Sequence, residues 1–268
     1  MIINPYIFGG FDADALAFIT AASITDTTQK SAIDTLVKSL KSANIWTKFK
    51  AIYPFVGGTA SSHRFNLKAP TTNTSDFYLT FTGGWTHSST GALPDGSSGY
   101  ATTNLIPSTD LTGANFAHLS YYSRSNTLKS FEYVMGSNDT TGDLSLIGRR
   151  NTSLQYFSST NTLASYIEAY NSTASTGLGF LLGTQQATTI KLFRSNVLQA
   201  SNTTVTTGAS LSTKKILIGA KNNNDSSYVG YTDKECAFAS IGYGLTDSES
   251  TAFYNAVQTF QTTLGRQV

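Results

Sequence analysis

The chain has 268 residues, 13% of them charged, with a formal net charge of +2 and a single cysteine. That charged share is about half the usual ~25%, and the only adjacent basic pairs are Arg149-Arg150 and Lys214-Lys215, so a nucleic-acid footprint is excluded. One cysteine, Cys236, excludes intrachain disulfides and Cys/His zinc clusters, and no apolar run approaches the ~20 residues of a membrane-spanning helix.

The N-terminal "MIINPYIFGGFDADA" carries no Lys or Arg and is broken by Asn4-Pro5 and Gly9-Gly10, which argues against a secretory signal. Residues 12–50 read as helical. Asp12 caps a short helix with Ala15, Phe18, Ile19 and Ala22 on one face, and Asp26 with Gln29 resembles a capping box before Ile33, Leu36, Val37 and Leu40. Ile45, Trp46 and Phe49 extend that face, so the helix pair needs something to cover it. "AIYPFVGGTASSHRF" then reads as a hinge: Pro54 halts regular structure, Gly57-Gly58 turns the chain, and the β part begins near His63.

From there the period changes to two. In "DFYLTFTG" Phe77, Leu79 and Phe81 alternate with Tyr78, Thr80 and Thr82, and "FAHLSYYSR", "LSLIGRR", "SLQYFSS", "TIKLFRS" and "KKILIGAK" are further strand-sized runs. Many short strands without helical crossovers predict a mainly β protein, a two-sheet antiparallel jelly-roll sandwich. At the end, Thr246 and Glu249 form a T-x-x-E capping box, Phe253, Val257, Phe260 and Leu264 make an apolar stripe, and Gly265 stops the helix. The expected organisation is a helical docking region at 1–62 and a sandwich at 63–268 closed by a helix over 246–265.

"IKLFRSNVLQA" and "ILIGAKNNNDSSYVGYTDKECAFASIGYGLTDSESTAFYNAVQTF" resemble the strand pair and closing segment of concanavalin A-like, laminin-G-like domains, over roughly residues 75–260. The N-terminal helices, the hinge and "GGWTHSSTGALPDGSSGYATTNLIPST" are similar to a group of tailed-phage virion proteins that join such helices to this jelly roll. The resemblance implies a non-enzymatic head fibre, capsid decoration or tail-associated protein. Its expected partners are other virion subunits or copies of itself and host-surface glycans, with no nucleic acid and no membrane insertion, and its expected location is the phage particle.

Reactive chemistry is poorly represented. Ser61, Ser62 and His63 lack a G-x-S-x-G elbow, and His87 and His118 stand alone. Gly177, Gly179 and Gly183 miss the G-x-G-x-x-G spacing and read as turn and strand-packing glycines. Among carboxylates, Glu132 and Glu168 stand alone on their strands, Asp233 and Glu235 sit at a strand entrance, and the E-x-D-x-E pattern of the fold's hydrolases is absent, so no catalytic residue is expected. Asp139 and Asp143 could enter a calcium loop but suit an ordinary turn. No metal or cofactor is expected. A carbohydrate-binding module is the alternative reading, and a glycoside hydrolase the third. Sugar binding needs only a few exposed aromatics, for which Trp85, Tyr100, Tyr121, Tyr122, Tyr228 and Tyr231 are the candidates by residue type.

Overall fold

A computed structural model describes residues 10–111, 117–151, 153–160, 168–203 and 211–268; residues 1–9 of the expected docking region lie outside these. The chain opens with α1 (Ala13–Ala21), α2 (Thr27–Ser42), β1 (Phe49–Tyr53), the one-turn α3 (Ala60–His63), β2 (Thr80–Thr82), β3 (Trp85–Ser88) and β4 (Gly91–Pro94). There follow β5 (Tyr100–Thr102), the one-turn α4 (Pro107–Asp110), β6 (His118–Ser123), β7 (Met135–Asn138), β8 (Asp143–Ile147), β9 (Gln155–Thr160) and β10 (Glu168–Asn171). The chain continues through β11 (Gly179–Gln186), β12 (Thr189–Arg194), β13 (Val197–Asn202), β14 (Leu217–Ile218), β15 (Lys221–Asn223), β16 (Ser227–Val229), β17 (Cys236–Gly242) and α5 (Asp247–Thr263).

Among the described residues the strands form two sheets, as the two-residue periodicity predicts. The first runs β13-β12-β11-β6-β17-β4-β3, with β1 beside β17; the second runs β10-β9-β8-β7-β14-β5-β2, with the β15–β16 hairpin attached to β7. Among the described strands all pairings are antiparallel except β15 with β7. Between the sheets lies one core, in which Leu119, Tyr121, Leu181, Leu192 and Ile241 meet Met135, Leu144, Leu146, Phe157 and Ile218. Gly183 is needed there, because a Cβ at that position would come within 2.1 Å of the Phe157 ring.

A second core covers the other face of the first sheet. Phe18 and Ile19 of α1, Ile33, Leu36, Val37 and Leu40 of α2, and Phe253, Val257 and Phe260 of α5 pack on Ile52, Tyr122, Phe180, Leu182 and Phe238. Each side chain buried this fully stabilises the layer by roughly 1.5–3 kcal/mol. The apolar stripes of the three helices are thus buried within the chain. The described residues form a three-layer stack of helices, first sheet and second sheet, and among them only the second sheet has an outer face free of helices.

Local signals explain the helix ends. Asp12 accepts from Asp14 N, Asp26 accepts from Gln29 N, and Thr246 with Glu249 closes a full capping box. Gly265, at φ +65°, supplies the left-handed turn that ends α5. Three expectations are corrected. Gln29 does not close a box at Asp26, because its side chain accepts from Gly57 N at 2.8 Å and ties α2 to the hinge. Residues 49–53 are not the end of a helical region but a strand, paired with Ala239–Gly242 of β17. "DFYLTFTG" contributes only Thr80–Thr82 as strand, because residues 74–76 form a 3-10 turn and Phe77 adopts φ +62°. The Gly57-Gly58 turn stands as read, at φ +85° and +70°, but it leads into α3, whose capping box joins Thr59 and Ser62.

Candidate ligand-binding surface

The six predicted aromatic contacts divide evenly. Tyr121 and Tyr122 are adjacent on β6 and point to opposite faces of the first sheet, yet both are buried, at 1% and 0% exposure. Tyr121 donates to the Lys234 carbonyl at 2.6 Å inside the inter-sheet core, and Tyr122 lies under the helices. A sheet covered on both faces has no outside, so neither can meet a ligand. Trp85 is half-buried against the inter-sheet core. Its indole N–H is committed to the carbonyls of Thr82 and Tyr100, at 3.1 and 3.2 Å, and its ring stands over Gly219, which makes it an anchor.

Tyr100, Tyr228 and Tyr231 do come together. Tyr100 leaves β5 toward the outer face, since its neighbour Ala101 enters the core. Tyr228 comes from β16 and Tyr231 from the segment that follows Gly230. The Tyr100 and Tyr228 rings meet edge-on at 4.7 Å, and Tyr100 and Tyr231 lie 6.5 Å apart at 49°. All three are partly exposed, and their hydroxyls bond to no other described residue. Burial, followed by the charge of the neighbouring Tyr100, raises the hydroxyls of Tyr228 and Tyr231 above the ordinary value, so both stay protonated and able to donate.

The ground beside them is stiff. Asp95 Oδ1 accepts from the backbone N–H groups of Ser97, Ser98 and Gly99 at 2.8 Å each, and Oδ2 accepts from Ser98 Oγ at 2.6 Å. These bonds, that of the Ser98 side chain first, hold the Asp95 carboxyl well below the usual carboxylate range. Lys129 Nζ donates to the Gly96 carbonyl of the same loop. On the hairpin, Asn222 and Asp225 bond reciprocally at 2.8 and 2.9 Å across the turn between β15 and β16. Tyr100 and Tyr228 are therefore presented by strands and Tyr231 by the segment after β16, beside turns already pinned by hydrogen bonds, so little ordering is needed on contact, which favours binding.

Sequence reasoning missed a second set of groups, on the outer face of the second sheet. Met135, Leu144, Leu146, Phe157 and Ala169 enter the core, so alternation places Asn138, Asp143, Ser145, Ser158 and Glu168 on the opposite face. Lys221 Nζ pairs with Asp143 Oδ2 at 3.0 Å and sits 4.2 Å from the centre of the Tyr133 ring. The Tyr156 hydroxyl donates to that of Tyr133 at 3.0 Å. Burial raises the Asp143 carboxyl, opposed by Lys221; burial and then the charge of Asp143 raise that of Glu168. Asn138 Oδ1, Asp143 Oδ1, Ser145 Oγ and Ser158 Oγ are buried, and after Lys221 the neighbouring Ser145 and Ser158 hydroxyls also pull the Asp143 carboxyl down against its burial. The sequence signals were Asp143, read as part of a turn, and Glu168, read as a carboxylate alone on its strand; the turn belongs to Asp139, which accepts from Thr141, Gly142 and Thr213.

The remaining candidates for chemistry are structural. Glu132 and Lys234 form an ion pair at 2.9 Å, each with 0% side-chain exposure. Glu235 pairs with Arg124 at 3.3 Å and accepts from Thr90, while Asp233 accepts from Thr127. His63 shares an Nδ1–Nδ1 hydrogen bond of 2.9 Å with His87 and not with Ser61 or Ser62. No group of three or more metal-ligating side chains occurs among the described residues, and none of their helices is long and apolar enough to cross a membrane.

No protein-family model matches the sequence, and no curated protein does. Solved structures do. A structure of botulinum neurotoxin type C, described as dependent for cell entry on interaction with two ganglioside molecules, is 12% identical with a TM-score of 0.53, over 81% of this chain and 53% of that one. The receptor binding domain of a botulinum neurotoxin C/D mosaic serotype is 13% identical with a TM-score of 0.52, over 79% and 52%. Domain 4 of a Geobacillus stearothermophilus arabinanase, in complex with arabinotriose, is 15% identical with a TM-score of 0.46, over 77% and 98%. The chain spans about half the length of the toxin structures it matches, and the likeness is one of fold: a two-sheet β-sandwich.

Proposed function

We propose that this chain is a non-enzymatic glycan-binding protein whose contact surface is the Tyr100, Tyr228 and Tyr231 cluster. The observation that carries the reading is the convergence of three partly exposed rings, with unspent hydroxyls, beside turns held by Asp95 and Asn222. Ring faces take the apolar side of a sugar and the hydroxyls take its polar edge. A glycan array on the full chain tests it, with Tyr100, Tyr228 and Tyr231 replaced by alanine in turn. Each replacement is expected to weaken binding by roughly two- to tenfold; an array without a bound glycan, or one indifferent to all three changes, refutes the reading. Hydrolysis is not expected, because Glu132, Asp143 and Glu235 are all ion-paired. Polysaccharide cleavage abolished by Glu168→Gln would overturn that part.

The virion placement rests on the resemblance of the N-terminal helices and hinge. Since the helix stripes are consumed on the first sheet, attachment to a particle falls to what remains outside, where Phe11 and Leu16 are 45% and 50% exposed at α1. Several copies on one particle would turn weak single-site glycan contacts into avidity. Mass spectrometry of purified particles checks the placement, and particles lacking the protein would dismiss it.

A further inference from the structure

The adjacent pair Arg149-Arg150, too isolated in the sequence to suggest nucleic acid, lies beside the tyrosine cluster, and its two side chains diverge. Arg149 donates to the Ala174 carbonyl and to Asn126 Oδ1, at 2.9 and 3.3 Å. Arg150 lies over the Phe131 ring, 4.7 Å from its centre, and 5.1 Å from that of Tyr133. Its Nε and Nη2 both donate to the Glu132 carbonyl at 3.3 Å, which leaves Nη1 without an acceptor among the described residues. Lys129 is bridged to Arg150 through the backbone, and its ammonium spends one of its three donors on the Gly96 carbonyl. Neither Arg150 nor Lys129 forms an ion pair among the described residues, unlike Lys221 and Lys234. Both are half-buried, while Leu128 and Phe131 beside them are each 49% exposed, so the patch is open to solvent.

Two contacts join this patch to the tyrosines. Tyr133, which faces Arg150, donates its backbone N–H to the Gly230 carbonyl at 2.7 Å, and a Cβ on Gly230 would come within 2.6 Å of the Tyr133 ring. Gly230 is the residue before Tyr231 and the second after Tyr228. Lys129 in turn grips the loop of Asp95, whose charge acts on Tyr231. Most carboxylates nearby are committed: Asp95 to its own turn, Asp143 to Lys221, Glu132 to Lys234, Asp225 to Lys214, and Asp233 to the Thr127 hydroxyl. Glu168 feels the charge of Arg150 after that of Lys221 but forms no ion pair with it.

We propose that Arg150 and Lys129 extend the Tyr100–Tyr228–Tyr231 surface into an anion-reading subsite, so that the glycan it takes carries a carboxylate or sulfate next to the sugar ring seated on the tyrosines. Holding the Glu132 carbonyl and covering the rings uses the plane, Nε and Nη2 of Arg150. Its charge and Nη1 remain for a ligand. A guanidinium laid flat on an aromatic ring is fixed before contact, and its free N–H groups take an oxyanion through charge-assisted hydrogen bonds. Lys129 adds a second positive charge on the side of Tyr231, and the exposed Leu128 and Phe131 offer the rim an apolar surface.

The inference rests on the reading of the tyrosine cluster as the glycan surface and narrows its ligand, so the experiment is chosen to separate the two. The full chain is applied to an array of neutral, carboxylated and sulfated glycans of matched backbone, and the best-bound acidic glycan is then titrated calorimetrically against its neutral counterpart. The acidic member is expected to bind about tenfold more tightly, the worth of one charge-assisted hydrogen bond. Either acidic class satisfies the inference, and the one preferred identifies the source of the charge. Arg150→Gln is expected to bring the ratio of acidic to neutral binding near parity, and Lys129→Gln to reduce it by about threefold. Raising the salt from ~50 to ~500 mM should also lower that ratio in the wild type, by screening. The salt series needs no variant and holds if Arg150→Gln fails to fold. Equal binding of acidic and neutral members, both weakened by Tyr228→Ala, overturns the inference and keeps the tyrosine reading. A preference for acidic glycans that survives both substitutions, or that is indifferent to salt, overturns it as well. An array with no bound glycan overturns both.

Discussion

Acidification should destabilise this protein through His118, at a pH where ordinary carboxylates are still ionised. His118 is fully buried on β6. Its Nδ1 lies 2.6 Å from the Tyr243 carbonyl, which only accepts, so Nδ1 carries the proton and donates. Nε2, 3.0 Å from Ser240 Oγ, therefore accepts from that hydroxyl, which in turn accepts from Ser120 Oγ at 2.7 Å. A proton added at Nε2 would reverse this chain and place a charge in the core. Burial accordingly lowers His118 from 6.5 to about 4, against the pull of the Tyr243 carbonyl. Between those values the unfolded chain binds the proton and the folded one does not, so the stability His118 contributes is complete above pH ~6.5 and falls as the pH drops toward 4. From pH 7 to pH 4 the loss amounts to about 3 kcal/mol. Urea denaturation at pH 7, 5.5 and 4, on the wild type and on His118→Gln, measures it: the wild type should lose about 3 kcal/mol more than the variant across this range. Equal losses, or an NMR titration placing His118 near 6.5, would refute the reasoning. The NMR titration needs no variant and stands even if His118→Gln folds poorly.

Three further outcomes follow from buried groups. Lys234→Met should cost about 3–5 kcal/mol in denaturant melts by leaving Glu132 charged and buried, and adding Glu132→Gln should recover part of it. Arg266, 1% exposed, donates to the carbonyls of Pro54, Phe55 and Ala237 and to Gln261 Oε1, all at 2.7–2.8 Å. Arg266→Met should therefore destabilise by roughly 3 kcal/mol or more and expose the C-terminal end of α5 to hydrogen exchange and proteolysis. Gly183→Ala should lower stability by about 1–3 kcal/mol, because Phe157 must leave its rotamer to admit the new methyl group, as a thermal melt would show.

Where local chemistry decides structure, the residues were readable in order. The caps at Asp12, Asp26 and Thr246, the stripe Phe253-Val257-Phe260, the stop at Gly265 and the strand-sized runs of β6, β8, β9 and β12 each depend on neighbours within a few positions, and the sandwich class follows from them. β1 was misread because "FKAIY" is buried on both faces, Ile52 against the helices and Tyr53 between the sheets, and a segment apolar on every side loses the alternation that marks a strand. The covering of the helix stripes was likewise out of reach, since most of their partner surface comes from Tyr122, Phe180 and Phe238, at least 80 residues beyond the end of α2.

For the site, composition supplied the residue types and tertiary structure chose among them. Six aromatics were equivalent in sequence. Pairing β6 inside a sheet covered on both faces withdrew Tyr121 and Tyr122, the hydrogen bonds of its indole withdrew Trp85, and the β15–β16 hairpin brought Tyr228 and Tyr231 to Tyr100. Nothing near Asn138, Asp143, Ser145 or Ser158 marks them as a group, because what joins them is strand register across β7, β8, β9 and β10, and register is set by long-range packing. Short-range chemistry determined the elements and the class of fold; which side chains remain free to meet a ligand was decided only when the sheets and helices covered one another.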